Sequence, residues 1–390
     1  MSALRRLRQD KRANIVLAVT VVVAVALLPM FRPPLDGFID DCILALAYVV
    51  MALGLNLVVG FAGLLDLGFV AFYAFGALVT GWWASDLYSG VNSEKGIHVG
   101  VSEFVSALPG IHLNFLLLVI GAIVICAIAG MIIGLPTLRL RGDYIAIVTL
   151  AFGEIIGRVA QNGDTITPFG DNKFSNGRQS ISPIDQIDLP FLGQFDSATN
   201  IRPYYWTALA LCLVVLFVNF RLRDSRLGRA WIALREDEVA TASMGVPLVR
   251  TKLLAYATGA AFGGISGAFL GAYLNSVNAN LFQFGFSIFI LAMIILGGLG
   301  SIWGVVLGAV ALSFVNSRLT PDLLDGPFVR DKLEALGLDV TVSDLQIGIF
   351  GFLLVFMMVM RPQGLLPERR RKLELTEGVG TDEAMYEARA

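Results

Sequence analysis

Residues Asp224–Pro247 read DSRLGRAWIALREDEVATASMGVP, a charged stretch set between two long apolar runs, Pro203–Phe220 and Leu253–Asn275. Asp224 or Ser225 is suited to cap a helix, and Gly245 with Pro247 is suited to stop it, so the spacing predicts one helix of about 20 residues. Trp231, Leu234 and Ala242 supply its apolar contacts, while Arg235, Glu236, Asp237 and Glu238 form a charged cluster. Resting on a lipid surface is one reading of such a helix. The acidic trio Glu236–Glu238 argues against it, because anionic lipid repels carboxylates, and a protein partner fits better. No segment matches a phosphate-binding loop, and a docking surface without an energy source of its own implies a partner.

The rest of the chain is lipid-compatible. Of 390 residues, 56% are hydrophobic and 15% charged, a balance that leaves too little polar surface for a soluble protein of this size. The net charge of −2 carries no message; the placement of charges does. Cys42, Cys126 and Cys212 fall far apart in apolar runs and are expected free and buried, without a disulfide framework. His98 and His112 are expected at the surface, and no metal site is expected from them.

A helix needs about 20 apolar residues to cross a bilayer. Candidate spans are Asn14–Phe31, Ile39–Gly60, Leu64–Trp83, Leu113–Leu135, Tyr144–Gln161, Pro203–Phe220, Leu253–Asn275, Phe284–Gly300, Ser301–Ser317 and Asp344–Met360. Two boundaries rest on glycine. Phe284–Ser317 would be about 51 Å long as one helix, too long for a hydrocarbon core of about 30 Å. Gly297-Gly298-Leu299-Gly300 breaks it into two short spans or a re-entrant pair, and Gly60-Phe61-Ala62-Gly63 divides Ile39–Trp83 in the same way.

Lys and Arg near span ends concentrate on the cytoplasmic side. With the N-terminus inside, the inner segments collect 19 basic residues, among them Arg5, Arg139, Arg141, the loop 221–252 and Arg369–Lys372, against eight outside. The fold class expected is therefore an all-α polytopic membrane protein with about ten spans and both termini cytoplasmic. It divides into a basic N-terminus with the first span (1–36), a main domain (37–366) and a polar, disordered tail (367–390). The basic flank and first apolar run also suit a cleaved signal peptide, but cleavage would invert the charge logic.

Gly259, Gly263, Gly267 and Gly271 recur at four-residue spacing, and Gly300, Gly304 and Gly308 form a second ladder. Small residues on one face let helices approach closely in lipid, as static packing or as a seam that slides. Glu154 and Arg158 stand at i and i+4, where they can pair as a structural ion pair or line a vestibule near the outer end of their helix. Asp143 stands where a helix N-cap belongs. Asn56 and Asp66 flank the Gly60–Gly63 break, where they suit a midplane cavity at broken helices or the satisfaction of freed backbone groups.

Glu238, Ala240 and Gly245 match the Glu, Ala and Gly of the EAA-type loop of ABC-importer permeases, with Thr241 in place of a second alanine. ALAYVVMALGLNLVVGFAGLLDLGFVAFYAFGA (Ala45–Ala77), LRLRGDYIAIVTLAFGEIIGRVAQ (Leu138–Gln161), IILGGLGSIWGVVLG (Ile294–Gly308) and Arg361-Pro362-Gln363-Gly364-Leu365 follow in order. Together they resemble the branched-chain amino-acid permeases of the LivM type over most of residues 40–366. Asp66 departs from the small hydroxyl residue frequent in that family. The loop Asn162–Arg202 lacks its Gly-Gly-x-x-Gly run.

The resemblance implies a bacterial inner-membrane importer subunit for Leu, Ile and Val, with other amino acids, short amides or urea as alternatives. Its implied partners are a second homologous permease subunit, two cytoplasmic ABC ATPases that carry ATP and Mg, and a periplasmic or lipid-anchored substrate-binding protein. Membrane lipid surrounds it; no nucleic acid and no cofactor on this chain are implied. Residues Arg235–Glu238, Ala240 and Gly245 would couple to the ATPase, and Asn56, Asp66, Glu154 and Arg158 are the candidates for the path. The rival class is a proton-coupled secondary transporter working through Glu154, Asp66 and Arg158, which leaves the docking helix without a job.

Overall fold

The computed structural model describes residues 20–89, 96–101, 105, 108–137, 144–167, 173–189, 193–319, 348, 351–352, 355–356, 359–360 and 364–366. Most of the tenth candidate span, the start of the first, Arg139–Asp143 and the tail 367–390 lie outside them. Apolar helices dominate, as the composition requires. They are α1 (Thr20–Phe31), α2 (Gly37–Leu55), α3 (Val70–Trp83), α4 (Phe115–Thr137), α5 (Tyr144–Gln161), α6 (Arg202–Asp224), α7 (Arg226–Glu236), α8 (Glu238–Ser243), α9 (Leu248–Tyr273), α10 (Phe284–Gly297) and α11 (Ile302–Phe314). Among the described residues five helices are long and apolar enough to cross a membrane: α2 with its extension to Phe61, α4, α5, α6 and α9.

Helix α9 is the axis of the bundle, buried over 83% of its apolar window. It runs antiparallel to α2. Gly259 packs on Gly54, the Ser266 hydroxyl donates to Ala47 O at 2.8 Å, and the Tyr273 hydroxyl donates to Asp40. Those contacts recur every seven residues on both helices, the repeat that keeps one seam facing its partner. The glycine ladder itself does not stay on one neighbour. Four-residue spacing overshoots a turn by about 40°, so Gly259 meets α2 while Gly263, Gly267 and Gly271 meet Phe72, Ala77 and Thr80 along α3. Gly264, outside the ladder, takes Cys126 of α4.

The break in 284–317 is a tight turn at Gly298 (φ +118°) and Gly300 (φ +83°). Helices α10 and α11 return along each other from it, with Gly304 and Gly308 against Gly297. Gly300 thus belongs to the turn and not to the second ladder. Leu365 N and Leu366 N donate to Leu296 O and Gly297 O, satisfying carbonyls that the end of α10 leaves free. At its other end α11, prolonged through a wide π turn (Val315–Leu319), brings Phe314 onto Phe38 and Arg318 onto Asp41. The α11 arm therefore follows α2 along nearly its whole length.

The first glycine break is longer than expected. No helix begins at Leu64; α3 starts only at Val70, and residues 62–69 thread unwound through the bundle. At the end of the bundle where α2 begins, β1 (Ala84–Ser85), β3 (Ile111–Leu113) and β2 (Ile97–Val99) form a small sheet in that order, and β4 (Asp188–Leu189) pairs with β5 (Gly193–Gln194). His112 is buried here, contrary to the surface position expected, because its Nδ1 meets Asp185 at 2.7 Å and its ring stacks on His98. Cys126 and Cys212 are buried thiols, whereas Cys42 is only partly covered.

Candidate functional site

The expected 20-residue docking helix is two helices. Ser225 caps α7 through a bond from Gly228 N, and Asp237 leaves helical geometry (φ −152°, ψ 114°) to cap α8, accepting from Val239 N and Ala240 N at 2.8 and 2.9 Å. The break leaves the first N–H groups of α8 without helical acceptors, and the Asp237 carboxylate serves two of them. Gly245, at φ +82° with open space around it, ends α8. Trp231 and Leu234 are buried, and the indole N–H donates to Thr251 O at 2.8 Å. Ala242 is exposed and makes no core contact. Glu238 binds the buried Lys252 ammonium at 2.6 Å. Val239 (74% exposed) on α8 and Met244 (84%) just beyond it are left as exposed apolar side chains.

Arg235 reaches inward from this pair of helices. Its Nη1 donates to Gly60 O at 2.6 Å, and a Cβ on Gly63 would stand 2.7 Å from Arg235 Cγ. A π turn, Asn56–Phe61, prolongs α2, and because the helix ends there the Gly60 carbonyl is left without an intrahelical donor and takes that guanidinium. Asn56 lies inside the same turn, fully buried. Its Oδ1 accepts from Gly300 N at 2.9 Å, so it fastens one glycine break to the other, and its Nδ2 has no partner among the described residues.

Beyond Gly63 the unwound segment is held by side chains. Asp66 Oδ1 accepts from Gly68 N, Thr149 Oγ1 of α5 accepts from Leu67 N, and Ser287 Oγ of α10 accepts from Val70 N. Irregular backbone deep in a membrane protein needs such substitutes for water. Asp66 Oδ2 is buried with no partner among the described residues. Gly68 lies so close to Thr149 and Gly153 that a side chain there would meet the α5 backbone. The segment 62–69 therefore touches the docking helices at one end and α5 at the other.

Glu154 and Arg158 lie further along α5. They stand one turn apart as expected, but among the described residues no ion pair joins them. Instead both line a cleft of about 450 Å³ with Gln161, Arg178, Asn280 and Gln283. Arg178, Asn280 and Gln283 come from loops, where hydropathy gives no signal of a shared site. Thr149 and Ser287 were equally silent in sequence, since single hydroxyl residues in an apolar run announce nothing until the backbone they serve is placed.

A bundle of long apolar helices, with a charged surface element seated on an unwound segment between them, defines a class: a polytopic integral membrane protein. The chain belongs to the family described as branched-chain amino acid transport system / permease component, whose model matches residues 40–358. It is similar to the high-affinity branched-chain amino acid transport system permease LivM of Salmonella typhimurium, 35% identical over 88% of this chain and 73% of that protein. The LivM of Escherichia coli K12 is likewise 35% identical, over 89% and 74%. A second permease named in that system, LivH of E. coli K12, is 31% identical over 31% of this chain and 38% of its own length. No solved structure matches.

Proposed function

We propose that this chain is one of two permease subunits of an ATP-driven importer of leucine, isoleucine and valine in a bacterial inner membrane. In this reading it has ten spans and both termini in the cytoplasm, with the permease domain over 37–366. Two ATPases carrying ATP and Mg dock on the loop 221–252, through Arg235–Glu238, Ala240, Gly245 and the exposed apolar side chains of Val239 and Met244. A substrate-binding protein delivers from the opposite side.

The single observation that carries the mechanism is Arg235 on Gly60 and Gly63. Closure of the ATPases displaces α7–α8, Arg235 passes the displacement to the unwound segment 62–69, and Gly68 passes it to α5 at Thr149. Asn56 ties the turn at Gly300 into the same movement. Asn56, Asp66, Glu154 and Arg158 are assigned to the translocation path, the first two beside the unwound segment and the last two at its cleft. A substrate with an apolar side chain needs only shape there and a few polar groups to fix its ends.

The test is uptake of labelled leucine in cells lacking this gene, with ATP depleted at a maintained proton gradient. Loss of ATP-dependent uptake on deletion, restored by the gene, supports the reading. Uptake that survives ATP depletion but collapses with the gradient replaces it with a secondary transporter. Retained leucine uptake with lost uptake of another amino acid or an amide moves the substrate and leaves the assembly.

A further inference from the structure

Helix α5 is the anomaly of the bundle. It is the least apolar of the five span-length helices, yet only 33% of it is buried. Helix α9 is nearly as polar and is 83% buried, while α4 is the most apolar and leaves most of its surface open, as a lipid-facing helix should. Helix α6 is as open as α5, but its charges, Arg202 at one end and Arg221, Arg223 and Asp224 at the other, sit at its termini. On α5, Arg158 also lies in the last turn, but Glu154 stands well inside the helix and is only partly covered. Its exposed residues, Tyr144, Ile147, Ala151, Ile155 and Arg158, follow a 3-4-4-3 spacing, a single stripe along one face. Charges facing lipid inside a span are costly and normally face protein or water.

We infer that this stripe of α5 is the surface on which the second permease subunit packs, and that the cleft lined by Glu154, Arg158, Gln161 and Arg178 opens between the two subunits as the water-filled wall of the path. The inference rests on the assembly proposed above and says which helix meets the partner. The occupant is a homologous permease of different sequence. A second copy of this chain, related by an axis along the membrane normal, would set Arg158 against Arg158 at equal depth, where like charges repel. The cleft holds one carboxylate and two guanidinium groups, which suits the ammonium and carboxylate ends of a zwitterionic substrate.

The experiment places a benzophenone amino acid at Ile147, Ala151 or Ile155 of the full chain, expressed in its native host in place of the wild-type chain, and irradiates the membranes. Ile120 and Ile132 of α4 and Phe217 of α6, all exposed, serve as comparison positions. The expected result is a covalent adduct to a homologous permease, identified by peptide mass spectrometry, from the α5 positions and not from the others. Permease adducts from α4 or α6 alone overturn the inference. So do α5 adducts to lipid only, to residues 344–360 of this same chain, or to a second copy of it. If an ATPase co-purifies and α5 still yields no permease adduct, the inference alone falls. If neither ATPase nor second permease co-purifies, the proposed assembly falls with it.

Discussion

Arg235 Nη1 donates to the carbonyl of Gly60 at 2.6 Å, across 175 residues of sequence. In the function proposed above, it is the contact through which a surface helix acts on the interior of the bundle. A hydrogen bond from a charged donor is worth about 1.5–3 kcal/mol, and solvent on Arg235 puts this one at the lower end. Arg235→Ala leaves the Ser225 cap and the Trp231 anchor of α7 intact. Expected are normal membrane levels, leucine uptake reduced severalfold and ATPase activity no longer stimulated by substrate in the reconstituted complex. Wild-type uptake by this variant would remove Arg235 from the coupling route.

Gly259 and Gly54 bring α9 and α2 into backbone contact, with Val58 Cγ2 2.5 Å from where a Gly259 side chain would begin. Gly259→Leu is expected to cost at least the about 1–3 kcal/mol of ordinary overpacking and to lower the thermal midpoint of the detergent-solubilised protein. Gly245→Ala meets open space and carries only the strain of its positive φ, so it should lower the midpoint less. Equal losses would mean that the seam is not close-packed.

Lys252 is buried and Glu238 is its carboxylate partner. Removing one member of a buried pair costs about 3–5 kcal/mol because the other charge is stranded, and the solvent reaching Glu238 reduces that figure here. Glu238→Gln should therefore destabilise the junction of α8 and α9, and adding Lys252→Met should recover much of the loss. A double variant no more stable than Glu238→Gln alone would show that the ion pair is not what holds the junction.

Burial works against the charged form of His112, but the hydrogen bond and charge of Asp185, with Asp86 nearby, outweigh it and raise its pKa above the ordinary histidine value. A folded-state value above the unfolded one stabilises the tie at low pH. The tie between β3 and the loop at Asp185 is thus complete below about pH 6.5 and weakens as pH rises through the raised value. Hydrogen-exchange protection across 173–189, taken against the intrinsic exchange rate at each pH, should fall between neutral and alkaline pH. In His112→Gln that pH dependence should flatten; a profile unchanged by the substitution would rule the histidine out.

Much of this was readable residue by residue. The glycine runs at Gly60–Gly63 and Gly297–Gly300 break helices because glycine costs a helix backbone entropy and accepts positive φ at no steric penalty. Ser225, Asp237 and Gly245 are all helix-end residues, although in sequence Asp237 reads as part of a charged cluster. A cap and a docking charge look alike when only the side chain's chemistry is known. Glu154 and Arg158 have the spacing of an ion pair and yet line a cleft, since helical spacing fixes which residues share a face but not what that face meets.

The sequence by itself determined that this is a membrane bundle, that its two longest apolar runs break at glycines, and which segment carries the charged surface element. Those signals are local: runs of apolar residues, helix caps and glycines, each acting within a few turns. Only the tertiary structure decided what the breaks are for. Gly60 meets Arg235, Asn56 meets Gly300 at a separation of 244 residues, and Thr149 and Ser287 serve the backbone of a segment on another part of the chain. An unwound backbone needs donors and acceptors, but any nearby polar group can supply them. Which one does so is settled by how the helices pack.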